Sequence, residues 1–544
     1  MAGRSRTGVP GRHRSAEGQR HRCGRGETVS AQALVVGAGP VGLTAAHELA
    51  RRGVRVRIVD RAAGPAVTSR ALATHPRSLE IYDQMGVLDD LLPRGQQVRA
   101  FTIHMRGKRM VGLRADYSRL PTRLPFTLMV DQVITEEVLR TALAKQGVEV
   151  EWGVALAGFT DTGDGVQVRL ERDGESEETS ADWLVGCDGG HSAVRKKLGL
   201  KLEGDSSETW LIADAQADTA LPRDSIHLIR TPGGSVMLVP FPDEGKWRLL
   251  DTRDVEYSGP GDDAAVARRF SEKVSAATGV PTVVSPPTWV SVFSIQQRMV
   301  PSMRSGRCLV AGDAAHVHSP ASGQGMNTGV QDAYNLAWKL AMVIDGHADE
   351  RLLDSYSRER VPVGAELLRT TKKATFLVQL KNPYVAAVLP VAFGVMRNVS
   401  ALRGKLERKI MGGMSALGLS YGDGPAAAGP GPRPGERLSV VAGADAETPA
   451  WQALLAQLRE PGWTLVLGPE ADRADLPSLG GWLVPQVAGT GGDLPDADGA
   501  LRRALGLSAT GWILTRPDGY VADRGDRTSA AAVRAVLRHA HITV

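Results

Sequence analysis

Three glycines, Gly37, Gly39 and Gly42, stand between a short apolar run, Leu34-Val35-Val36, and a segment rich in Ala and Leu, Leu43 to Ala50. An uninterrupted apolar run of this kind reads as a parallel strand buried on both faces. The glycine spacing then has a chemical use. Gly37 permits a tight turn, Gly39 lets backbone approach a pyrophosphate, and Gly42 lets helix and strand pack closely. The helix start offers unpaired N–H groups and about half a positive charge to phosphate. Gly53 ends the helix, Val54, Val56, Ile58 and Val59 make a second strand, and Asp60 closes it, placed to accept a hydrogen bond from a ribose hydroxyl. Strand, helix, strand and terminal acid together predict a dinucleotide site, with FAD and NAD both open on this motif alone.

Two later segments deliver acids in the same manner. In Trp183 to Arg195 an apolar strand runs into Asp188-Gly189, with Ser192 and Arg195 following as a helix begins. In Arg307 to Gly329 another apolar strand runs into Gly312-Asp313. His316, Pro320, Gly323, Gly325, Met326 and Asn327 follow, and the helix then continues from Val330 through Asp332, Asn335 and Trp338 to Leu340.

In this order and at these separations, the three motifs resemble the para-hydroxybenzoate-hydroxylase-like flavoprotein monooxygenases, especially their aromatic-polyketide and phenol hydroxylase branch. The resemblance covers roughly residues 31–375. It implies FAD as the bound cofactor and NAD(P)H as a transient co-substrate. Carried over residue by residue, it implies that Gly37, Gly39, Pro40 and Gly42 cradle the pyrophosphate and that Asp60, with Arg61 beside it, holds the adenosine ribose. Gly312 and Asp313 would bind the ribityl chain. Backbone N–H groups of Gly325, Met326 and Asn327 would face the flavin N1–C2=O edge, where a helix N-terminus stabilises negative charge. Arg70 and Pro320 would border the flavin, Gln132 would contact the cofactor, and Asp188 would serve FAD and the nicotinamide site together. Arg70 and Pro320 are the candidates nearest the chemistry; no acid–base pair or nucleophile triad is named, and His316 and His318 are given no role. Three positions depart from the family pattern: Asp60 for the commoner glutamate, Ser322 for a frequent glycine, His191 for a frequent arginine.

The resemblance implies an α/β fold: a Rossmann-like FAD-binding domain with an inserted antiparallel β-sheet substrate domain, plus a C-terminal thioredoxin-like domain. The boundaries read from the sequence are 31–100, 126–204 and 291–375 for the FAD-binding part and 101–125 and 205–290 for the substrate sheet. Alternation at Ser225 to Ile229, Ser235 to Val239 and Lys246 to Asp251 predicts a meander, with Met237, Phe241, Trp247 and Phe293 as apolar wall residues. Leu353 to Pro362 is expected to pack a helix against the FAD part. Residues 376–437 read as helices and a Gly/Pro linker, the latter at 422–437. Residues 438–544 alternate βαβ-like elements and contain no cysteine, which excludes thiol–disulfide chemistry there.

The expected reaction is NAD(P)H reduction of the flavin, addition of O2 to give a C4a-hydroperoxide, and transfer of one oxygen atom to an electron-rich aromatic small molecule. A Baeyer–Villiger or epoxidising variant shares every motif, and a flavin-binding subunit without turnover is the reading from another class. No second Gly-x-Gly-x-x-Gly unit with strand and acid is present to hold NAD(P)H permanently, and the Asp188-Gly189 and Gly312-Asp313 motifs disfavour an NAD-dependent dehydrogenase.

Composition narrows the rest. The 544 residues carry a formal charge of +5, but residues 1–30 hold seven Arg against two Glu, so residues 31–544 are neutral. The basic balance belongs to a tail, expected to be disordered, with translation starting near Val29 as a sharper alternative. Nucleic acid is therefore not an expected partner. Three cysteines without ligand spacing predict neither a disulfide framework nor a metal site and fit a cytoplasmic protein. No apolar run is long enough to span a membrane, and a monomer or homodimer is expected.

Overall fold

The computed structural model describes residues 30–68, 71–105, 108–113, 120–232, 234–318, 323–379, 415–422, 430–472, 476 and 480–544. The basic tail, Arg70, Pro320, Ser322 and most of the segment between 380 and 429 lie outside the described residues.

The chain is mixed α/β, built on several sheets. The first, eight-stranded among the described residues, has Ala31–Val36 at its centre. That strand pairs in parallel with Val56–Asp60 on one side and Glu175–Gly186 on the other. Cys308–Val310 extends it in parallel beyond Glu175–Gly186, and Val150–Trp152 beyond Val56–Asp60. Leu34, Val35 and Val36 are buried, as a strand covered on both faces requires. The helix Pro40–Ala50 starts three residues earlier than the apolar run suggests, because Pro40 fits the first helical position, where its missing N–H costs nothing. The ends of the strands Val56–Asp60, Glu175–Gly186 and Cys308–Val310 thus deliver Asp60, Asp188 and Asp313 to one edge of the sheet.

The second sheet, nine-stranded among the described residues, is mostly antiparallel. Ser225–Thr231, Gly234–Pro240 and Lys246–Asp251 form the expected meander. Trp289–Met299 pairs with Glu203–Thr219 along most of its length. The sheet therefore runs past residue 290, where the sequence reading returned the chain to the FAD-binding part; the long central strand needs a partner over its whole span. The sheet has two apolar faces. On one, Leu211, Ala213, Leu238, Trp247 and Leu249 pack on Val266, Phe270 and Val274 of the helix Asp263–Thr278. On the other, Trp210, Ile212, Met237, Phe241 and Leu250 pack with Leu72, Val98 and Met129, and Phe293 lies against them. Trp247 is thus on the face opposite Met237, Phe241 and Phe293, a correction to the set of wall residues that follows from strand alternation.

The third sheet lies in the C-terminal segment, with strand order Leu494–Pro495, Leu483–Gly489, Trp463–Leu467, Trp512–Thr515 and Val521–Gly525. The Gly/Pro stretch before it, read as a linker, is a packed strap over its described part. Tyr421 N–H donates to the Gly435 carbonyl, Gly435 N–H to Val521, and Leu438 N–H to Gly519. Gly435 and Gly431 adopt φ +85 and +91, and a Cβ on Gly435 would lie 2.0 Å from Gly422 N. Here glycine permits close packing rather than flexibility. Among the described residues no helix is long and apolar enough to cross a membrane.

Candidate active site

Gly37 adopts φ +103, and a Cβ there would meet the Cys187 carbonyl oxygen at 2.4 Å; one on Gly42 would lie 1.9 Å from the Gly37 carbonyl. Around Gly39 nothing lies within 4 Å of that position. Two glycines are therefore consumed by the protein's own packing, and the third faces open space. The helix beyond it has no side-chain cap and no acid in its first turn, so its first N–H groups are left to an outside acceptor.

Asp60 is anchored by that same loop: Oδ2 accepts from Ala38 N–H at 2.7 Å and Oδ1 from Ala62 N–H at 2.8 Å. Each carboxylate oxygen retains acceptor capacity, so the missing methylene relative to glutamate is offset by docking the acid directly on the glycine turn. Arg61 beside it is exposed. Asp188 divides its work. Oδ2 accepts from Ala193 and Val194 N–H at 2.6 and 3.2 Å, while Oδ1 is buried and has no hydrogen-bond partner among the described residues. A buried carboxylate oxygen left unsatisfied costs about 1–3 kcal/mol; a cofactor hydroxyl would satisfy it. These features fit FAD: an uncapped helix start, open space at Gly39, and an unpaired oxygen on Asp188.

Gln132 lies at the start of the helix Gln132–Ala144. Its Nε2 donates to Glu136 Oε1 at 2.8 Å, and its Oε1 accepts from Ala71 N–H at 3.4 Å. Burial raises Glu136 above the ordinary carboxylate range, against the Gln132 hydrogen bond and Arg140. Neither partner of this amide was legible in the sequence.

Asp313 is exposed on the turn Gly312–Ala314. The turn is fixed from behind by Asp332, whose Oδ2 accepts from Gly312 N–H at 3.1 Å and from His316 Nε2 at 2.6 Å. Arg360 Nε donates to Asp332 Oδ1 at 2.6 Å, and Arg360 also donates to the Thr328 carbonyl. Asp332 and Arg360 are both fully buried. Burial raises Asp332, but His316 and Arg360 outweigh it and hold the carboxyl below its ordinary range. His316 is therefore a structural tie, and Asp332 and Arg360 are the residues whose part the sequence reading missed. The available signal was an acid inside a helix turn of otherwise buried residues. Tyr356, from the same Leu353 to Pro362 segment, donates to the Val310 carbonyl at 2.9 Å.

The helix Gly325–Ile344 begins without a side-chain cap or a first-turn acid. Asn327 is buried, and its carboxamide joins this helix start to the segment 73–75: Oδ1 accepts from His75 N–H, and Nδ2 donates to the Ala73 and Gly323 carbonyls, each at 2.8 Å. The Asn327 side chain is thus structural, while the N–H groups of Gly325, Met326 and Asn327 stand at the uncapped end. Arg70 and Pro320 lie outside the described residues.

A family model described as an FAD binding domain matches residues 30–371. The chain is 51% identical over 524 residues, 94% of each protein, to 6-methylpretetramide 4-monooxygenase of Streptomyces rimosus. It is 31% identical to pentachlorophenol 4-monooxygenase of Sphingobium chlorophenolicum, over 92% of this chain and 96% of that one. Among solved structures it is similar to aklavinone-11 hydroxylase in ternary complex with FAD and aklavinone, with TM-score 0.71 and 26% identity, covering 94% of this chain and 99% of that one. The chain belongs to the FAD-binding aromatic hydroxylase family. It is an FAD-dependent monooxygenase.

Proposed function

We propose that this enzyme hydroxylates a polycyclic phenolic polyketide at one ring carbon, consuming NAD(P)H and O2, with 6-methylpretetramide or a close congener as substrate and carbon 4 as the position. The observation that carries this reading is the 51% identity to 6-methylpretetramide 4-monooxygenase over 94% of both chains. Bound flavin would supply activation of O2 by electrons from the nicotinamide and delivery of one oxygen atom.

The chain's own part is binding, orientation and exclusion of water. Gly37, Gly39, Pro40 and Gly42 would hold the pyrophosphate, Asp60 the adenosine ribose, and Gly312 with Asp313 the ribityl chain. Asp188 Oδ1 and the Gln132 amide would complete the cofactor contacts. The N–H groups of Gly325, Met326 and Asn327 would stabilise negative charge at the flavin N1–C2=O edge. Met237, Phe241 and Phe293, on the sheet face turned away from the helix Asp263–Thr278, would keep water from the ring to be hydroxylated.

The parallel pairing of Trp463–Leu467 with Leu483–Gly489 and the antiparallel pairing of Trp463–Leu467 with Trp512–Thr515 and of that strand with Val521–Gly525 support a thioredoxin-like reading of the last segment. We assign residues 438–544 to that fold, with packing rather than redox chemistry as its role.

The test is incubation of purified holoenzyme with NADPH, 18O2 and 6-methylpretetramide, read by product mass. A product heavier by one 18O atom with its carbon skeleton intact supports the reading. A ring-opened or lactone product would replace it with Baeyer–Villiger chemistry, and unaccelerated NADPH oxidation across a panel of polycyclic phenols would remove catalytic hydroxylation.

A further inference from the structure

The helix Asp354–Gln379 carries two adjacent charged residues, Glu359 and Arg360, that both bind the helix Gly325–Ile344. Arg360 reaches the turn carrying Asp313, through Asp332. Glu359 reaches the C-terminal segment. Its two carboxylate oxygens accept from Arg516 Nη1 and Nη2 at 2.8 and 2.9 Å, a bidentate pair. The same carboxylate accepts from Asn335 Nδ2 at 2.6 Å and Lys339 Nζ at 2.9 Å, both on the helix whose start stands at the flavin edge.

Asp518, two residues beyond Arg516, completes the joint. It accepts from Trp338 Nε1 at 3.1 Å and from Asn335, and its backbone carbonyl accepts from Arg77 at 2.9 Å. The hairpin is held in shape by Arg516 N–H donating to the Tyr520 carbonyl and Gly519 N–H donating to the Arg516 carbonyl. Lys339 is fully buried and Asp518 nearly so. A buried charge stripped of its partner is strongly destabilising, so a shift of either helix is opposed while the hairpin is in place.

Resting on the FAD-binding reading, we propose that Arg516 and Asp518 are positioning residues for the cofactor: the C-terminal hairpin fixes Glu359, and through it the helix pair that holds the Gly312–Ala314 turn and the Gly325 helix start. The domain without thiols thereby acts on the flavin site. Neighbouring residues Glu359 and Arg360 sit on one rigid helix, so displacement of the first moves the second. The arrangement is a set of contiguous buried polar contacts, and coupling along it is what must be measured.

The experiment uses the full-length protein and measures FAD dissociation constants by flavin fluorescence, well below each variant's melting temperature. Arg516→Met is expected to weaken FAD binding about tenfold, with Arg516→Lys intermediate. Leu454→Ala, a cavity in the C-terminal core that leaves Arg516 and Asp518 themselves unaltered, should lower the melting temperature and leave FAD affinity unchanged. Arg516→Met combined with Asp332→Asn should weaken binding by less than the product of the single effects. Should Arg516→Met not fold, Asp518→Asn replaces it with the same expectation. Wild-type affinity in folded Arg516 or Asp518 variants, equal losses in these and in Leu454→Ala, or strict additivity with Asp332→Asn would each overturn the proposal. Wild-type protein that binds no FAD would overturn the cofactor reading itself, and the proposal with it.

Discussion

Arg195 donates to the Ala314 carbonyl at 3.1 Å, joining the helix that follows Asp188-Gly189 to the turn that carries Asp313. Its other guanidinium nitrogen donates to the Gly190 carbonyl at 2.8 Å. Two motifs more than a hundred residues apart are thus held as one surface by a single buried side chain. Charged hydrogen bonds of this kind contribute about 1.5–3 kcal/mol each. Arg195→Met should therefore lower the melting temperature and weaken FAD binding together, and Arg195→Lys should recover part of both. Thermal unfolding and FAD titration of the pair of variants check this; an unchanged FAD affinity would mean that the two loops hold their positions independently.

Gly39 and Gly42 should respond differently to the same substitution. Gly42→Ala forces a methyl against the Gly37 carbonyl, and overpacking of this sort costs about 1–3 kcal/mol. Gly39→Ala meets no protein atom. The expected result is a lowered apoprotein melting temperature for Gly42→Ala alone, with weakened FAD binding for both. Differential scanning fluorimetry without and with FAD separates the two effects.

Asp313→Ala should weaken FAD binding and keep the fold, because Asp332 accepts from Gly312 N–H behind the turn. Loss of one ionised acceptor at about 1.5–3 kcal/mol corresponds to roughly 10- to 150-fold weaker binding. Equilibrium dialysis against FAD measures it, and an unchanged affinity would remove Asp313 from the ribityl assignment.

Acid should unfold the protein through a small set of buried carboxylates. At Glu48 and Glu359 burial raises the carboxyl, but Arg51 and Arg52, and Arg516 and Lys339, outweigh it; both are held well below the ordinary range. Asp332 is lowered by His316 and Arg360 in the same way. Groups lowered on folding bind protons first in the unfolded chain, so their stabilisation is present above about pH 4–4.5 and lost as pH falls further. Urea unfolding between about pH 6 and 3 should show this decline. Asp332→Asn should make its slope shallower while lowering stability at neutral pH.

The placement of the glycine turn and of the strand-end acids was legible in the sequence because it is local. A glycine turn, the helix it opens and the acid that ends the next strand are fixed by residues a few positions apart, and Gly37, Gly42 and Asp60 stand in the geometry their spacing implies. Asp188 and Asp313 were legible for the same reason. Asp332, Arg360 and Glu359 were not, since a buried charge is recognised by its partners and those come from remote parts of the chain. The stretch at 430–437 misled because glycine and proline mark loose chain and close packing alike; only Arg437, buried against Glu80, distinguishes the two. Trp247 was assigned to the wrong face because the meander's alternation was visible but not which face met the helix.

The strap at 430–437 has a consequence for how such enzymes can be recombined. Arg437 donates to both oxygens of Glu80 at 2.6 and 2.7 Å and to the Pro121 carbonyl, while Arg516 answers Glu359 on the other side. A chimera joined at the Gly/Pro stretch would keep the acids in one parent and take both arginines from the other. Grafting is compatible only with donors that carry arginine at these two places, so the last domain is inherited with the acids it neutralises and not as an interchangeable module.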